Sequence, residues 1–213
     1  MRRAASVALS LVASVALLAG CAGGLSDEGE ALTPEQAEQL ANARFQLSTV
    51  DTFVAEISVG ADDATDHLVA RVTVDPENHV AWGTLSRGPE KLAVDTEIIM
   101  SPELYATGGE GAWQAQDWSG ETATLPIVFS LSTDRPENAS LLRQSDARFL
   151  GSEDDLDVFR LPTESGDGSS TSRLWLDGNR ISRLDTTTGA LTIDVDRDAD
   201  PDPRPDAVDE LVQ

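Results

Sequence analysis

Cys21 is the only cysteine in the 213-residue chain, so its thiol cannot form an intramolecular disulfide. Three states of this thiol are compatible with the sequence: a buried structural cysteine, a free thiol left after cleavage of an export signal, and a thioether to a lipid. The residues before Cys21 distinguish these states, because lipid attachment requires a particular signal directly in front of the cysteine.

The twenty residues before Cys21 have the form of a secretory signal. Arg2 and Arg3 form a positive start, and the apolar run over residues 7–18 is shorter than the roughly twenty residues that a membrane-spanning helix needs. The arginine pair lacks the flanking residues of a twin-arginine signal. Ordinary Sec export is therefore favoured.

The run ends in Leu18-Ala19-Gly20-Cys21, which resembles the lipobox of bacterial lipoproteins. This resemblance implies that the signal is cut before Cys21 and that the cysteine sulfur carries a diacylglyceryl group. We therefore expect residues 1–20 to be a lipoprotein signal peptide and Cys21 to be lipidated. The mature protein is then expected at the extracytoplasmic face of the cell membrane, held by its lipid anchor.

The charge balance narrows the set of partners. Aspartate and glutamate number 38 against 15 lysines and arginines, which gives a net charge of −23. Nucleic-acid binding needs a basic face, so this balance excludes an ordinary nucleic-acid binder. Electrostatic attachment to an anionic membrane is disfavoured for the same reason. An acidic protein at a membrane surface needs a covalent anchor, and two or more acyl chains hold it more firmly than one.

Outside the leader, the sequence has no arrangement of residues that is typical of a catalytic or metal site. It lacks the His-x-x-x-His and Cys-x-x-Cys spacings of zinc sites and the Gly-x-Ser-x-Gly elbow of hydrolases. His67 and His79 each adjoin a predicted turn, where a solvated histidine is expected. The alternating aspartates over residues 194–200 resemble a calcium loop but lack its glycine and glutamate. We expect no enzyme, no metal and no cofactor.

One amphipathic helix is predicted over residues 34–47. Thr33 is the expected N-cap, Pro34 occupies the first helical position, and Gln36 completes a capping box. Apolar residues then recur at helical spacing. The preceding residues 21–32 are small, polar and acidic, and are predicted to form a flexible tether.

From residue 52 the hydrophobic period changes to two, which predicts an antiparallel meander with one apolar face and one wet face. The run at residues 126–131 is compatible with helix or strand, and we favour helix. A second helix is predicted to start at Asp134, and strands resume over residues 147–150 and 156–161. Asp177-Gly178-Asn179 predicts a hairpin turn. Residues 198–213 are predicted to be a disordered acidic, proline-rich tail.

This order of parts resembles the LppX/LprG-type lipoproteins of actinobacteria, which belong to the LolA-like group. The resemblance covers residues 33–197 and is carried by Leu104-Tyr105 with Trp113, and by Leu174-Trp175-Leu176-Asp177 with Ile181-Ser182-Arg183-Leu184. It implies an α+β fold, in which a strongly curved antiparallel β-sheet, or half-barrel, has helices covering its concave face. In that group an apolar cavity between the sheet and the helices carries acyl chains.

The resemblance implies an apolar cavity wall on the predicted strands, formed by Phe53, Ile57, Val72, Trp82, Val94 and Ile98. Our first hypothesis is therefore a lipoprotein that binds or transfers a lipid or lipoglycan cargo. Large strand residues also fill protein cores, and core packing is the simpler interpretation of the aromatic side chains. The alternative is accordingly a non-catalytic protein-interaction or sensor lipoprotein with a filled core, whose protein partner is unknown.

Overall fold

A computed structural model of the chain describes residues 25–26, 28–60, 67–88, 94–109, 112–161, 172–186 and 191–211. These residues form an α+β fold with one antiparallel sheet. The strands are β1 (Glu30–Ala31), β2 (Phe53–Val59), β3 (Leu68–Asp75), β4 (Val80–Arg87), β5 (Val94–Met100), β6 (Leu104–Gly109), β7 (Ala112–Asp117), β8 (Arg148–Glu153), β9 (Leu156–Arg160), β10 (Ser172–Asp177), β11 (Arg180–Thr186) and β12 (Leu191–Asp196). The helices are α1 (Pro34–Leu47), a 3₁₀ helix (Gly120–Leu131), α2 (Ala139–Gln144) and α3 (Val208–Leu211).

The strand order across the sheet is β1-β8-β9-β10-β11-β12-β2-β3-β4-β5-β6-β7, and every neighbouring pair is antiparallel. The pairing of β12 with β2, with Ile193 opposite Ile57, joins the two halves of the chain into one sheet. The sheet is not closed, since β1 and β7 are its edges. An open sheet of this width coils strongly because each strand is twisted against the next. The predicted curved antiparallel sheet is confirmed.

The two faces of the sheet are covered differently. α1, the 3₁₀ helix and α2 lie on one side, the concave face, and enclose with it a large apolar core. The opposite, convex face carries two smaller apolar clusters. The first contains Val80, Trp82, Ile99 and Val208. The second contains Leu150, Val158 and Trp175, with Leu25 packed against it.

The helix predicted over residues 34–47 is confirmed. The Thr33 Oγ1 atom accepts a hydrogen bond from the Gln36 backbone N–H (3.2 Å), and Gln36 Oε1 accepts one from the Thr33 N–H (2.9 Å). At its other end, the Arg44 guanidinium donates to the Ser130 carbonyl (2.7 Å) and pairs with Glu137 (2.8 Å). α1 therefore fixes the end of the 3₁₀ helix and the segment that follows it.

The apolar run at residues 126–131 is helical, as favoured, but it belongs to a 3₁₀ helix that begins at Gly120. The second predicted helix starts later than expected. Its N-cap is Asn138 and not Asp134, because the Asn138 Oδ1 atom accepts from the N–H groups of Ser140 (2.9 Å) and Leu141 (3.2 Å). The predicted hairpin turn at Gly178 and Asn179 is confirmed.

The prediction of a disordered tail over residues 198–213 is wrong for residues 198–211. The Asp202 N–H donates to Thr73 Oγ1 (2.8 Å), and the Asp202 carbonyl accepts from the Trp82 indole N–H (2.9 Å). Arg204 pairs with Asp75 (3.0 Å), and the Val208 side chain is fully buried. The segment 200–211, here called the C-terminal strap, is thus held on the convex face by a few specific contacts despite its polar composition.

The tether predicted over residues 21–32 is also wrong in its second half. The Ser26 N–H donates to the Leu150 carbonyl (2.8 Å), and β1 pairs with β8. Leu32 is buried in the concave core. Backbone pairing and one apolar side chain therefore order a segment whose composition predicts flexibility. Cys21 and the predicted signal peptide lie outside the described residues.

The two histidines of the chain differ in burial. His67 is buried (5% exposed), contrary to the expected solvated position, whereas His79 is exposed as expected. Among the described residues, no helix has the length and apolarity needed to span a bilayer.

Candidate functional site

The apolar layer between the concave face and the helices contains four of the six predicted wall residues. Phe53 is 2% exposed, and Ile57, Val72 and Ile98 have no exposed surface. Val72, Gly83 and Ile98 are direct neighbours across β3, β4 and β5. Because Gly83 has no side chain, Val72 and Ile98 face each other across a bare stretch of backbone. Only glycine fits there, since an added Cβ would collide with the Arg71 carbonyl oxygen.

The helices supply the other side of this layer. The 3₁₀ helix buries Leu125, Val128, Phe129 and Leu131, which are at most 7% exposed. It packs over β2 and β3. The apolar run at residues 126–131 includes Val128, Phe129 and Leu131 but not Leu125, and the sequence analysis assigned none of the four to the cavity wall. These residues could have been identified from the sequence, because four large apolar side chains occur within seven residues in the segment that follows β7.

Trp82 does not belong to this layer, so its assignment to the cavity wall is wrong. Its side chain lies in the convex cluster with Val80 and Ile99, while Ala81 and Leu85 of the same strand face the concave core. β4 carries buried apolar residues on both faces, since the C-terminal strap covers the convex face and the helices cover the concave one. Alternation alone therefore could not assign the phase of this strand.

Val94 lies outside the layer as well. It shares its strand phase with Ile98 but is 71% exposed. Its cross-strand partner is Arg87, which is exposed as well. The alternation placed Val94 on the correct side of β5, but the helices do not cover that end of the strand, so its assignment as buried wall is wrong.

The described part of the layer is closely packed. A side chain beside a water-sized void retains accessible surface, whereas Ile57, Val72 and Ile98 retain none. Protein atoms therefore occupy the space directly against these three residues. Any ligand that reaches them has to displace side chains of the covering helices.

Polar chemistry is sparse around this layer. Where β12 ends, burial lowers the pKa of the Arg197 guanidinium, nearby Arg180 lowers it further, and Asp198 raises it. Within the ranges that the structure describes, no group of three or more histidine, cysteine, aspartate or glutamate residues is arranged to hold a metal ion. The core cluster of this layer is apolar except for Tyr105, whose hydroxyl donates a hydrogen bond to Gln116 Oε1 (2.9 Å).

No protein-family model and no curated protein sequence matches the chain. Solved structures to which the chain is similar include LprF from Mycobacterium bovis, which is 16% identical with a TM-score of 0.42, over 81% of this chain and 98% of LprF. Lipoprotein LppX from Mycobacterium tuberculosis is 14% identical with a TM-score of 0.44, over 78% of this chain and 93% of LppX. A LolA superfamily protein from Nitrosomonas europaea is 15% identical with a TM-score of 0.34, over 84% of this chain and 97% of that protein. The solved structures to which this chain is similar thus include LprF, lipoprotein LppX and a LolA superfamily protein.

Proposed function

We propose that the chain is an exported lipoprotein, anchored through Cys21, that binds or transfers acylated molecules between its concave face and its helices. The observation that carries the proposal is the nature of the cover. Beside the α-helix α1, a 12-residue 3₁₀ helix covers the concave core where it packs over β2 and β3. Its buried side chains are the ones that an acyl chain would replace.

A 3₁₀ helix is a weakly held cover. Its i→i+3 hydrogen bonds have poorer geometry than those of an α-helix, and runs longer than three or four residues are uncommon. Pro126 lies inside the helix and contributes no backbone N–H. Side-chain burial, and not backbone hydrogen bonding, therefore supplies most of the free energy that holds this helix against β2 and β3.

The magnitudes allow exchange with a lipid chain. Each buried CH2 group is worth about 0.8 kcal/mol, so a chain of about sixteen carbons gains about 13 kcal/mol on leaving water. Exposing the four buried side chains of the 3₁₀ helix costs about 6–12 kcal/mol on the same scale. The two quantities are similar, which favours a binding reaction that is reversible and requires no other energy source.

The net charge limits the kind of cargo. Without residues 1–20, which carry two arginines and no acidic residue, the net charge is −25. The mature protein therefore repels strongly anionic head groups over a distance of about one Debye length, or about 8 Å at physiological salt. We therefore propose a cargo whose acyl chain enters the layer and whose head group is neutral or only weakly charged.

Photolabelling tests the proposal on the full chain, purified from membranes in a maltoside detergent. The probe is a monoacylglycerol with a diazirine in its acyl chain. We expect peptides that contain Ile57, Val72, Ile98 or the 3₁₀ helix to be labelled. Ile99 is the internal control, because it follows Ile98 in β5 but is buried on the convex face. Absence of labelling, or equal labelling of Ile98 and Ile99, would contradict cargo binding in this layer.

The close packing against Ile57, Val72 and Ile98 favours a second candidate, a lipoprotein scaffold with a permanently filled core that contacts another protein. The photolabelling experiment separates the two. A filled scaffold takes up no probe in the concave layer even when the protein is saturated with detergent-solubilised lipid.

A further inference from the structure

A groove of about 400 Å³ lies on the convex face, between the sheet and the C-terminal strap. Trp82 and Trp113 contribute its aromatic surfaces, Pro203 and Pro205 form the strap side, and Glu97 supplies a carboxylate. The groove is on the opposite side of the sheet from the layer proposed for acyl chains. Its volume falls within the roughly 300–1,000 Å³ that is usual for small-molecule sites.

The strand register builds the floor of the groove. Thr84, Glu97, Gly108 and Trp113 form one row of direct neighbours across β4, β5, β6 and β7. Gly108 has no side chain, so bare backbone separates the Glu97 and Trp113 side chains. The Glu97 carboxylate lies over the next glycine, because a Cβ added at Gly109 would be 2.9 Å from Glu97 Oε2. Neither glycine leaves a vacancy of its own, because a Cβ at Gly108 would collide with the Ala112 carbonyl oxygen. The opening between the Glu97 carboxylate and the Trp113 indole is the groove that both side chains line.

The strap side of the groove is fixed in place. Hydrogen bonds join the Asp202 backbone to Thr73 Oγ1 (2.8 Å) and to the Trp82 indole N–H (2.9 Å). Pro203 and Pro205 follow, and each proline holds its own φ near −65°. Their rings therefore face the groove from a segment with little freedom to fill it.

The Glu97 carboxylate gives the groove a negative charge, and the arginine beside the groove is paired with other carboxylates. Arg204, the cation nearest Trp82 in the strap, lies 5.4 Å from the indole centroid but is already paired with Asp75 (3.0 Å) and Asp209 (2.9 Å). In the part of the chain that the structure describes, no lysine or arginine forms an ion pair with Glu97. An anionic ligand is therefore repelled, and a cationic one is attracted.

We propose that this groove binds a small organic cation of the quaternary-ammonium class. The cationic head lies between the Trp113 ring and the Glu97 carboxylate, and the apolar part of the ligand lies against Pro203 and Pro205. An aromatic face attracts a cation through its ring quadrupole, most strongly for tryptophan, and a nearby carboxylate adds Coulomb attraction. This site is independent of the proposed acyl-chain site, so either proposal can fail without the other.

Calorimetric titration of the full chain, in a maltoside detergent, tests this site. The probe is choline, and its uncharged isostere 3,3-dimethylbutan-1-ol has the same shape without the charge. We expect choline to bind at least about tenfold more tightly than the isostere and to weaken as salt is raised. Glu97→Gln and Trp113→Ala should each weaken choline binding at least about fivefold.

Trp175 provides a matched control. It is the other convex-face tryptophan with an arginine over its ring (Arg183, 5.3 Å), and its indole N–H donates to Glu153 (2.9 Å), but it does not line the groove. Trp175→Phe should leave choline binding unchanged. Equal affinity for choline and its isostere, or unchanged binding by Trp113→Ala, would overturn the proposal. Circular dichroism shows whether Trp113→Ala is folded. If it is unfolded, choline binding by Glu97→Gln tests the proposal instead, because the exposed Glu97 carboxylate makes no core contact.

Discussion

Ile98 and Ile99 are consecutive residues of β5 that are buried on opposite faces of the sheet. Ile98 has no exposed surface in the concave core, and Ile99 is 2% exposed in the convex cluster that contains Val208. Strands with one wet face alternate between buried and exposed residues, so burial of both neighbours requires a second cover. That cover is the C-terminal strap, and the burial of Ile99 therefore depends on Val208 while that of Ile98 does not.

We expect Ile98→Ala and Ile99→Ala each to lower the free energy of unfolding by about 2–4 kcal/mol, through lost burial and a residual cavity. Val208→Asp should release the strap. In a chain that already carries Val208→Asp, Ile99→Ala should lower the free energy of unfolding by at least about 1 kcal/mol less than it does in the unaltered chain. The reason is that Ile99 and Val208 belong to the same cluster. Urea denaturation measures the three single variants and the two double variants that combine Val208→Asp with each isoleucine change. Ile98→Ala is the control, since its cost should be unchanged by Val208→Asp to within about 0.5 kcal/mol.

The parts of the fold that could be predicted from the sequence depend on local interactions. The α1 cap joins Thr33 to Gln36, three residues apart, and the hairpin turn at Gly178 joins adjacent strands. Assigning Phe53, Ile57 and Val72 to one wall implies the phases of β2 and β3, and these phases are correct. The charged residues Glu56 and Arg71 lie opposite each other on the other face. Each of these signals is complete within a few residues.

The errors arise from contacts between distant segments. Asp202 and Thr73 are 129 positions apart, and no local pattern indicates that the strap returns to β3. The same return buries the convex side of β4, which reversed the phase assigned to Trp82. The assignment of Val94 to the buried wall failed for a related reason. The point at which the helices stop covering β5 is set by tertiary packing, and the sequence of the strand carries no signal for it. The cavity-wall assignment of Phe53, Ile57, Val72 and Ile98 stays a prediction, although all four lie in the concave core.

The contact between Arg204 and Asp75 should hold the strap to β3. Asp75 Oδ2 accepts from Arg204 (3.0 Å) and from the Asn78 side-chain amide (2.8 Å), and the residue is 8% exposed. We expect Arg204→Gln to lower the free energy of unfolding by about 1–2 kcal/mol, as for a hydrogen bond to a charged group. A double-mutant cycle with Asp75→Asn, measured by urea denaturation, should give a coupling of about 1 kcal/mol. A coupling near zero would mean that the ion pair contributes nothing to strap attachment.

Removing the α1 cap should destabilise the layer that covers the concave face. Thr33→Ala deletes the acceptor for the Gln36 N–H, and we expect a loss of about 1 kcal/mol in the free energy of unfolding. Thr33→Ser keeps a hydroxyl at the same place and should therefore retain most of the stability that Thr33→Ala loses. Thermal and urea unfolding of the two variants provide the measurement. Equal stabilities of the alanine and serine variants would show that the capping hydroxyl is not the cause.

The ordered amino-terminal segment limits where an anchored protein meets its membrane. Leu25 packs on the convex cluster of Leu150, Val158 and Trp175. Cys21 is four residues from Leu25 in the sequence, and four residues span at most about 14 Å at about 3.5 Å per residue, so the proposed lipid anchor should begin near that cluster. Trp82 lies on β4, five strands from β10 in the sheet order, or about 24 Å away at about 4.8 Å per strand. Trp175 should therefore lie nearer the bilayer than Trp82.

Tryptophan quenching by a nitroxide-labelled lipid tests this orientation in vesicles that carry the lipidated full chain. Two variants are compared, one in which only Trp175 is kept and one in which only Trp82 is kept, with phenylalanine at the other tryptophan positions. Nitroxide quenching is short-ranged, and the proposed anchor at Cys21 is joined by only four residues to Leu25, which packs beside Trp175. The variant with Trp175 should therefore be quenched at least about twice as strongly. Cys21→Ser should abolish the quenching of both, since it removes the site of attachment. Equal quenching of the two lipidated variants would mean that residues 21–25 do not set the orientation of the sheet, and that some other surface of the protein contacts the bilayer.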